Sequence, residues 1–341
     1  MGQDVNLKSK IYSSGVFLPN QVVDSESLFE EIKSEVQYNL PVNWMSVKMG
    51  IEERRVAPQS FLPSDLAIPA AIQAIDDCDE KVRQGIDLVL FCGIERDQPE
   101  PATAHVIQHA LGLRARYAFD ISNACYGFID GMQIADTYVR TGLVRYALVI
   151  TGEIPSRVLR AAVDVLKRGV DIKTARAIIG ALSVGDAGGA VIIGPNSNER
   201  ASGFELFNVN SFSELANKCR YTKSKTGQIE GHMHMPQITR AFINKQHELI
   251  DDTLLKLGWS EFDWMLTHQI GKKPFERLSR LKGVRPSKMV KTLDKLGNIT
   301  TATFPVNFNK LKESGQVKSG DRIGGCFAGS GLVVGQFGYT F

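Results

Sequence analysis

The apolar positions of this chain follow two spacings that take turns along it. Ile86 to Cys92 reads Ile-Asp-Leu-Val-Leu-Phe-Cys, an almost unbroken apolar run that predicts a buried strand. Ala118 to Ile121 and Ala147 to Thr151 predict two more. Between them, Thr103 to Leu111 and Gly127 to Thr141 carry the helical period, and Phe128, Met132, Ala135 and Val139 fall on one face. Strand and helix in alternation predict an α/β fold. Runs such as Leu88-Val-Leu and Ala147-Leu-Val-Ile predict strands covered on both faces, since a strand with one wet face alternates apolar and polar residues instead.

The pattern continues past the middle of the chain. Arg157 to Ile179 predicts a helix charged on one side, an insertion or a cap. Gly185-Asp-Ala-Gly-Gly-Ala-Val-Ile-Ile-Gly194 is a Gly-rich turn entering a strand, and polar Pro195 to Arg200 follows. Phe204 to Val209 predicts a strand. A long helix is expected from about Thr239 to Leu257, with Ile243, His247, Ile250 and Leu254 facing inward, and Asp263 to Leu266 predicts another strand. The Gly-rich grammar returns as Gly324 to Gly335. A Gly-rich segment followed by a strand thus closes each of two halves, 1–194 and 201–341, and suggests an internal duplication.

Composition narrows the function. The chain has 341 residues, enough for two fused halves, and a formal net charge of +3, too mild for a dedicated nucleic-acid binder. A local basic patch for an anionic substrate or carrier remains possible. The five cysteines are Cys78, Cys92, Cys125, Cys219 and Cys326. Their odd number and the lack of a C-x-x-C pair argue against a disulfide framework or a zinc ribbon and for a reducing compartment. The opening Met-Gly-Gln-Asp-Val-Asn-Leu-Lys lacks the apolar core of a signal peptide, and no apolar run nears the ~18 residues of a membrane span. A cytoplasmic protein is the expectation.

Cys125 is the leading chemical candidate. It lies in Asp120-Ile-Ser-Asn-Ala-Cys-Tyr-Gly-Phe-Ile-Asp130, where a predicted strand gives way to a predicted helix. Unpaired N–H groups and the dipole at a helix start favour an anion, so the thiol is expected to ionise more readily there. A buried structural cysteine is the alternative. His268 follows a short apolar strand, a place where α/β proteins present functional side chains, and Asn298 sits in a Gly-Asn turn. Taken singly, either is as readily a core histidine or a turn residue. His105 and His109, and His232 and His234, have ligand-like spacings without a third ligand, so no metal is expected. Gly185-Asp-Ala-Gly-Gly enters a strand instead of a helix and is no phosphate loop. Lys272, Lys273 and Arg277, just after His268, form either a basic patch for an anionic substrate or carrier, or a plain solvated helix face.

Taken together the motifs have a family likeness. Cys125 in Asn-Ala-Cys-Tyr-Gly-Phe, His268 in His-Gln-Ile and Asn298 in Gly-Asn-Ile-Thr resemble, in order and rough spacing, the Cys-His-Asn triad of the β-ketoacyl-ACP synthase III group of the thiolase superfamily. Trp44-Met-Ser-Val-Lys-Met-Gly-Ile-Glu-Glu-Arg-Arg55 resembles the group's Trp…Arg-x-Gly-Ile-x-Glu-Arg segment, and Gly185-Asp-Ala-Gly-Gly-Ala its Gly-Asp-Gly-Ala-Gly-Ala turn. The likeness spans nearly the whole chain. Glu95-Arg-Asp-Gln-Pro-Glu-Pro-Ala102, Ser122 to Met132 and Ala328-Gly-Ser-Gly-Leu332 are similar to the head-to-head condensing enzymes of olefin biosynthesis, which join two fatty acyl-CoAs. One departure is His268-Gln-Ile-Gly271, where the housekeeping starter enzymes usually read His-Gln-Ala-Asn.

The resemblance implies two similar halves in a five-layered α/β/α/β/α arrangement, usually paired as a homodimer. It implies a Cys125 acyl-enzyme, an oxyanion held by the backbone N–H of Cys125 and one near Ser330, and Claisen condensation with a second thioester whose enolate His268 and Asn298 stabilise as donors. Under it Trp44 is a candidate to stack on adenine and Lys48 to meet phosphate, with plain surface packing as the alternative for both. Glu100 matches a glutamate that reaches the partner's site, where it serves as the base that a non-decarboxylating condensation needs. No cofactor is expected beyond the coenzyme A or carrier-protein thioesters. Phe128, Phe304 and Phe308 are candidate linings of an acyl tunnel, or plain core. A decarboxylative synthase, a plain acyltransferase to oxygen or nitrogen, and a silent subunit of a heterodimer are the rival readings.

Overall fold

The computed structural model describes residues 8–196, 202–223, 229–233 and 235–341. Five strands build the first sheet: β1 (Lys8–Phe17), β2 (Ile86–Cys92), β3 (Tyr117–Ile121), β4 (Tyr146–Glu153) and β5 (Ala187–Asn196), in the order β1-β5-β4-β2-β3. Here β4, β2 and β3 run parallel, while β5 is antiparallel to both its neighbours. The unbroken apolar runs have the predicted cause, because β2, β4 and β5 bury both faces. Val89, Phe91, Leu148, Ile150, Ala190 and Ile192 pack on α1 (Pro63–Asp76) and α2 (Thr103–Ala110). Leu88, Leu90, Ala147, Val149, Val191 and Ile193 face the opposite way, onto α3 (Gly127–Arg140). On α3 the buried residues include Phe128, Met132, Ala135 and Val139, the face expected from their spacing. Full burial of each large side chain is worth about 1.5–3 kcal/mol, which is how tertiary packing fixes a helix of this length. α1 lies at backbone distance from the sheet: an added Cβ at Gly152 or Gly188 would run into the carbonyl oxygen of Pro63 or Leu66.

Four strands build the second sheet: β6 (Gly203–Ser211), β7 (Trp264–Thr267), β8 (Arg322–Gly329) and β9 (Val333–Thr340), in the order β7-β8-β9-β6. Read from the other edge, β6-β9-β8-β7 repeats β1-β5-β4-β2, with the same antiparallel pairs and the same single parallel pair. A lone bridge, Met265 to Met289, stands where the first sheet has its fifth strand. α7 (Thr303–Glu313) joins α3 between the sheets through Phe304, Phe308 and Leu311. On the outer face of the second sheet, α5 (Met235–Leu257) and α6 (Lys272–Leu278) pack on Met265, Cys326 and Val334. The result is the duplicated α/β/α/β/α arrangement of the thiolase fold.

Several elements differ from expectation. The helix expected over Arg157 to Ile179 is two, α4 (Ser156–Lys167) and a short one at Ile172–Ile178. Gly169 turns left-handed between them, and Asp171 caps the second by accepting from the N–H groups of Lys173 and Thr174. On α5, His247 is exposed and Gln246 takes the buried place, donating to Phe327 O at 2.9 Å and accepting from Gln336 Nε2 at 2.8 Å. β5 runs on to Asn196, past the expected end of the first half. Phe304 stacks on Phe128 and Phe308, with centroids 5.8 and 5.6 Å away, so all three belong to the core between the sheets. The first seven residues, residues 197–201 at the expected boundary, His234 and the side chain of His232 lie outside the described residues. Among those described, no helix is long and apolar enough to cross a membrane.

Candidate active site

Cys125 sits in the turn between β3 and α3. Tyr126 N–H donates to Asn123 O and Gly127 N–H to Ala124 O, each at 3.1 Å, two tight turns in succession. They force Ala124 to φ +48°, a conformation that costs a residue with a Cβ about 1–2 kcal/mol. Asn123 Nδ2 donates to Asp130 Oδ2 at 2.7 Å and ties the turn to the first turn of α3. From the other half, Gly329 presses onto this corner: an added Cβ would stand 2.8 Å from Asn123 O and 3.0 Å from Tyr126 N. Ser330 follows directly, and its hydroxyl bonds the thiol of Cys219.

The electrostatics reverse one expectation. Burial pushes the Cys125 thiol well up, with smaller contributions from the nearby Glu153 carboxyl and Cys219; the backbone N–H pulls the other way and loses. The helix start favours the anion, but burial outweighs it. Glu153, the last residue of β4, is itself buried, and desolvation raises it to about 7. Its Oε1 accepts from the Thr301 hydroxyl and from Ile94 N–H at 3.0 Å.

His268 follows β7, with its N–H on Cys326 O at 3.0 Å and 5% exposure. Burial lowers its pKa to about 4, so the ring is neutral at pH 7. Its Nδ1 lies 3.5 Å from Thr303 Oγ1, and that hydroxyl already donates to Thr300 O at 2.7 Å. Thr303 therefore accepts from Nδ1–H, which leaves Nε2 as an acceptor. The neutral ring is thus not the donor expected; it becomes one at Nε2 by taking a proton.

Asn298 is pinned across the halves, its N–H on Ser183 O at 2.9 Å and its carbonyl on Gly185 N–H at 3.1 Å. Its Oδ1 accepts from Thr300 N–H at 3.0 Å, which leaves the amide Nδ2 as the outward donor. The threonine segment links everything. Thr301 bonds Glu153, Thr300 orients Asn298, Thr303 faces His268, and Thr301 Cγ2 lies 3.9 Å from the Cβ position of Gly127, two residues past Cys125.

Two residues here were given no role by the sequence, although Gln269 lies inside the His-Gln-Ile motif. Glu153 ends an apolar run, where a carboxylate ordinarily marks a strand reaching solvent. Gln269, beside His268, donates to Val290 O at 2.8 Å and accepts from Thr292 and Leu293 N–H, each at 3.0 Å. It thereby fixes the short turn leading to Gly297 and Asn298.

The expected substrate-binding residues form a rim. Trp44 stacks on Phe29, centroids 6.0 Å apart and 17° between planes, and leads into a helical turn at Met45–Met49 with Lys48 exposed. That turn meets the start of α6, where the Cβ position of Gly50 lies 3.0 Å from Lys272 Cβ and that of Gly271 lies 3.1 Å from Met49 Cε. Lys272, Lys273 and Arg277 are exposed. Glu100 stands apart from these residues, exposed on the loop after β2. The loop is clipped to β3 by Asp120, whose carboxylate accepts from Thr103 and Ala104 N–H at 2.9 Å each. β3 is the edge of its sheet, its side chains half-buried along its whole length.

Known proteins share this fold. Residues 119–211 match the profile of the 3-oxoacyl-[acyl-carrier-protein] synthase III family, and residues 255–339 that of its C-terminal part. The chain is 30% identical to a β-ketoacyl-[acyl-carrier-protein] synthase III of Clostridioides difficile, over 97% of this chain and 98% of that one. It is 29% identical to the same enzyme of Bradyrhizobium diazoefficiens, over 96% and 98%. Among solved structures it is similar to cerulenin-bound OleA of Xanthomonas campestris, with a TM-score of 0.90, 25% identity and full coverage of both chains. A variant of that protein with bound lauric acid and lauroyl-CoA shares the fold at a TM-score of 0.91, with 24% identity over 99% of this chain and 100% of that one.

Proposed function

The chain belongs to the 3-oxoacyl-[acyl-carrier-protein] synthase III family and is a condensing acyltransferase; from that premise we propose that it joins two acyl-CoAs head to head without loss of CO2. The observation that carries this reading is the exposure of Glu100 on a loop tied to an open sheet edge. A second copy pairing along β3 brings that carboxylate to its partner's site, and the reading therefore includes a homodimer.

His268 Nε2 takes the proton of Cys125, which burial otherwise keeps on sulfur. The thiolate attacks the first thioester, the oxyanion sits between the N–H groups of Cys125 and the Ser330 loop, and coenzyme A leaves as a thiol with that proton. The partner subunit's Glu100 then removes an α-proton from the second acyl-CoA. Asn298 Nδ2 holds the enolate oxygen, the α-carbon attacks the acyl carbonyl, and the bond to sulfur breaks, giving the β-keto thioester and a Cys125 thiolate; the proton that the partner's Glu100 took passes through solvent to that sulfur. Trp44, Lys48, Lys272, Lys273 and Arg277 line the approach of the coenzyme A adenine and phosphates. All five cysteines are free thiols, which suits the cytoplasm.

The test offers acyl-CoA alone and acyl-CoA with a malonyl thioester, and follows β-keto product and CO2 by mass spectrometry. Product from acyl-CoA alone, lost in Glu100→Ala, is expected. Product that forms only with the malonyl thioester, indifferent to Glu100→Ala, would assign the decarboxylative reaction instead.

A further inference from the structure

We propose that Glu153 is a positioning residue that couples the two half-reactions, because one buried carboxyl both opposes charge on Cys125 and anchors the threonine segment that aims Asn298 and His268. The inference rests on Cys125 as the nucleophile but not on the identity of the second substrate.

The geometry gives Glu153 two attachments. It ends β4 at 1% exposure, with β2 between it and the strand that leads into Cys125, and it is close enough for its charge to act on that thiol. The Thr301 hydroxyl donates to it, and Thr301 Oγ1 also lies 2.6 Å from Thr151 Oγ1, so the segment 300–303 is bolted to the first sheet at this point. Ile94 N–H, from the loop that continues to Glu100, donates to the same oxygen at 3.0 Å. A single side chain thus touches the loop of the proposed base and the segment that orients both donors.

Charge supplies the coupling. The titratable groups facing Glu153 are Cys125, the buried Cys92 and Glu95, and the last is ion-paired with Arg157 at 2.6 Å. No cation in this set offsets a second negative charge beside a thiolate. A charged Glu153 therefore keeps the resting thiol protonated, and a proton on Glu153 favours the thiolate. Once sulfur is acylated that conflict disappears, and the carboxylate is free to accept its hydrogen bonds fully and hold Thr301 during condensation.

The experiment separates the two attachments. Iodoacetamide labelling of Cys125, read on its own peptide by mass spectrometry from pH 6 to 10, follows the thiolate alone. Glu153→Gln keeps the acceptor oxygen and removes the charge; its labelling profile should move to lower pH, with labelling about tenfold faster at pH 8. Thr301→Val keeps the carboxyl and cuts the anchor; its labelling rate at pH 9 to 10, where Glu153 stays ionised, should match that of the unaltered protein, while β-keto formation falls far more than acyl-enzyme formation. An unmoved profile in Glu153→Gln would overturn the charge role, and equal losses of both steps in Thr301→Val would overturn the anchoring role. Failure to form any acyl-enzyme on Cys125 in the unaltered protein would instead remove the nucleophile assignment, a separate result.

Discussion

The two halves use the same corner of the same scaffold for opposite ends. After β2 the first half runs an exposed loop, 93–102, that bears Glu100 before α2 begins. After β7, the equivalent strand of the second sheet, only His268 to Gly271 intervene before α6, and His268 and Gln269 are buried. The fifth strand differs in the same sense. The first half keeps β3 as a paired, half-exposed edge, whereas the second reduces it to the Met265–Met289 bridge and then turns inward to Asn298. Duplication supplied two equal frames. The half that kept its edge presents its loop outward, to a second copy in the proposed dimer, and the half that lost it turns its loops inward.

The comparison is tested most severely at the sulfur itself. Cys125→Ala should abolish the mass increment of the acyl-enzyme after incubation with any acyl thioester; a persisting increment would move the nucleophile elsewhere. The inward-turned half divides between the steps. Asn298→Ala deletes the donor to the enolate oxygen, and loss of one such donor costs on the order of 3 kcal/mol of barrier, roughly a hundredfold in condensation rate, whereas His268→Ala deletes the group that takes the thiol proton and should slow acylation as well. Product assays against acyl-enzyme assays check this, with Asn298→Ala expected to spare acylation.

The outward-turned half permits a test by mixing. If Glu100 acts across the dimer, Cys125→Ala and Glu100→Ala subunits are each inactive alone. A randomly reassorted mixture contains hybrid dimers with one intact site, about a quarter of all sites. Recovered product formation near that level is expected, and no recovery would confine Glu100 to its own chain.

Much of this frame was legible in the chain, and the exceptions share a cause. Buried parallel strands announce themselves because both faces must be apolar, so Ile86–Cys92 was read to the residue. Cys125, His268 and Asn298 stood out through motifs, but spacing alone does not say that a threonine segment joins them. Periodicity placed His247 inward because it weighs position and not pairing; Gln246 is inside because Gln336 and Phe327 satisfy it. Glu153 and the raised thiol were missed for the same reason: burial of a charge is a property of the assembled site, and nothing local to the residue records it.

Gln269 offers a smaller effect. Gln269→Ala leaves two buried N–H groups and a carbonyl without partners, a loss of about 1–3 kcal/mol for an unsatisfied buried group. A lower melting temperature is expected, with condensation slowed more than acylation as the turn carrying Asn298 loosens. An unchanged melting temperature would mean that the turn is held by its backbone alone.

The smallest effect in the unaltered protein is one in which the two halves cancel. His268 titrates near 4 when folded, against an ordinary 6.5, so between those values the unfolded chain holds a proton the folded one lacks, and stability falls as pH falls. Glu153 titrates near 7 when folded, against 4.5, so there the folded chain holds the extra proton, and stability falls as pH rises. From about pH 4.5 to 6.5 the two slopes are equal and opposite, and these groups together leave stability flat. Each shift taken alone corresponds to about 3 kcal/mol. Glu153→Gln should therefore raise the melting temperature at pH 8 and expose the His268 slope, with stability now climbing from pH 4.5 to 6.5. Melting curves that keep the same pH dependence in both proteins would mean that the carboxyl from the first half and the imidazole from the second do not oppose each other in the folded state.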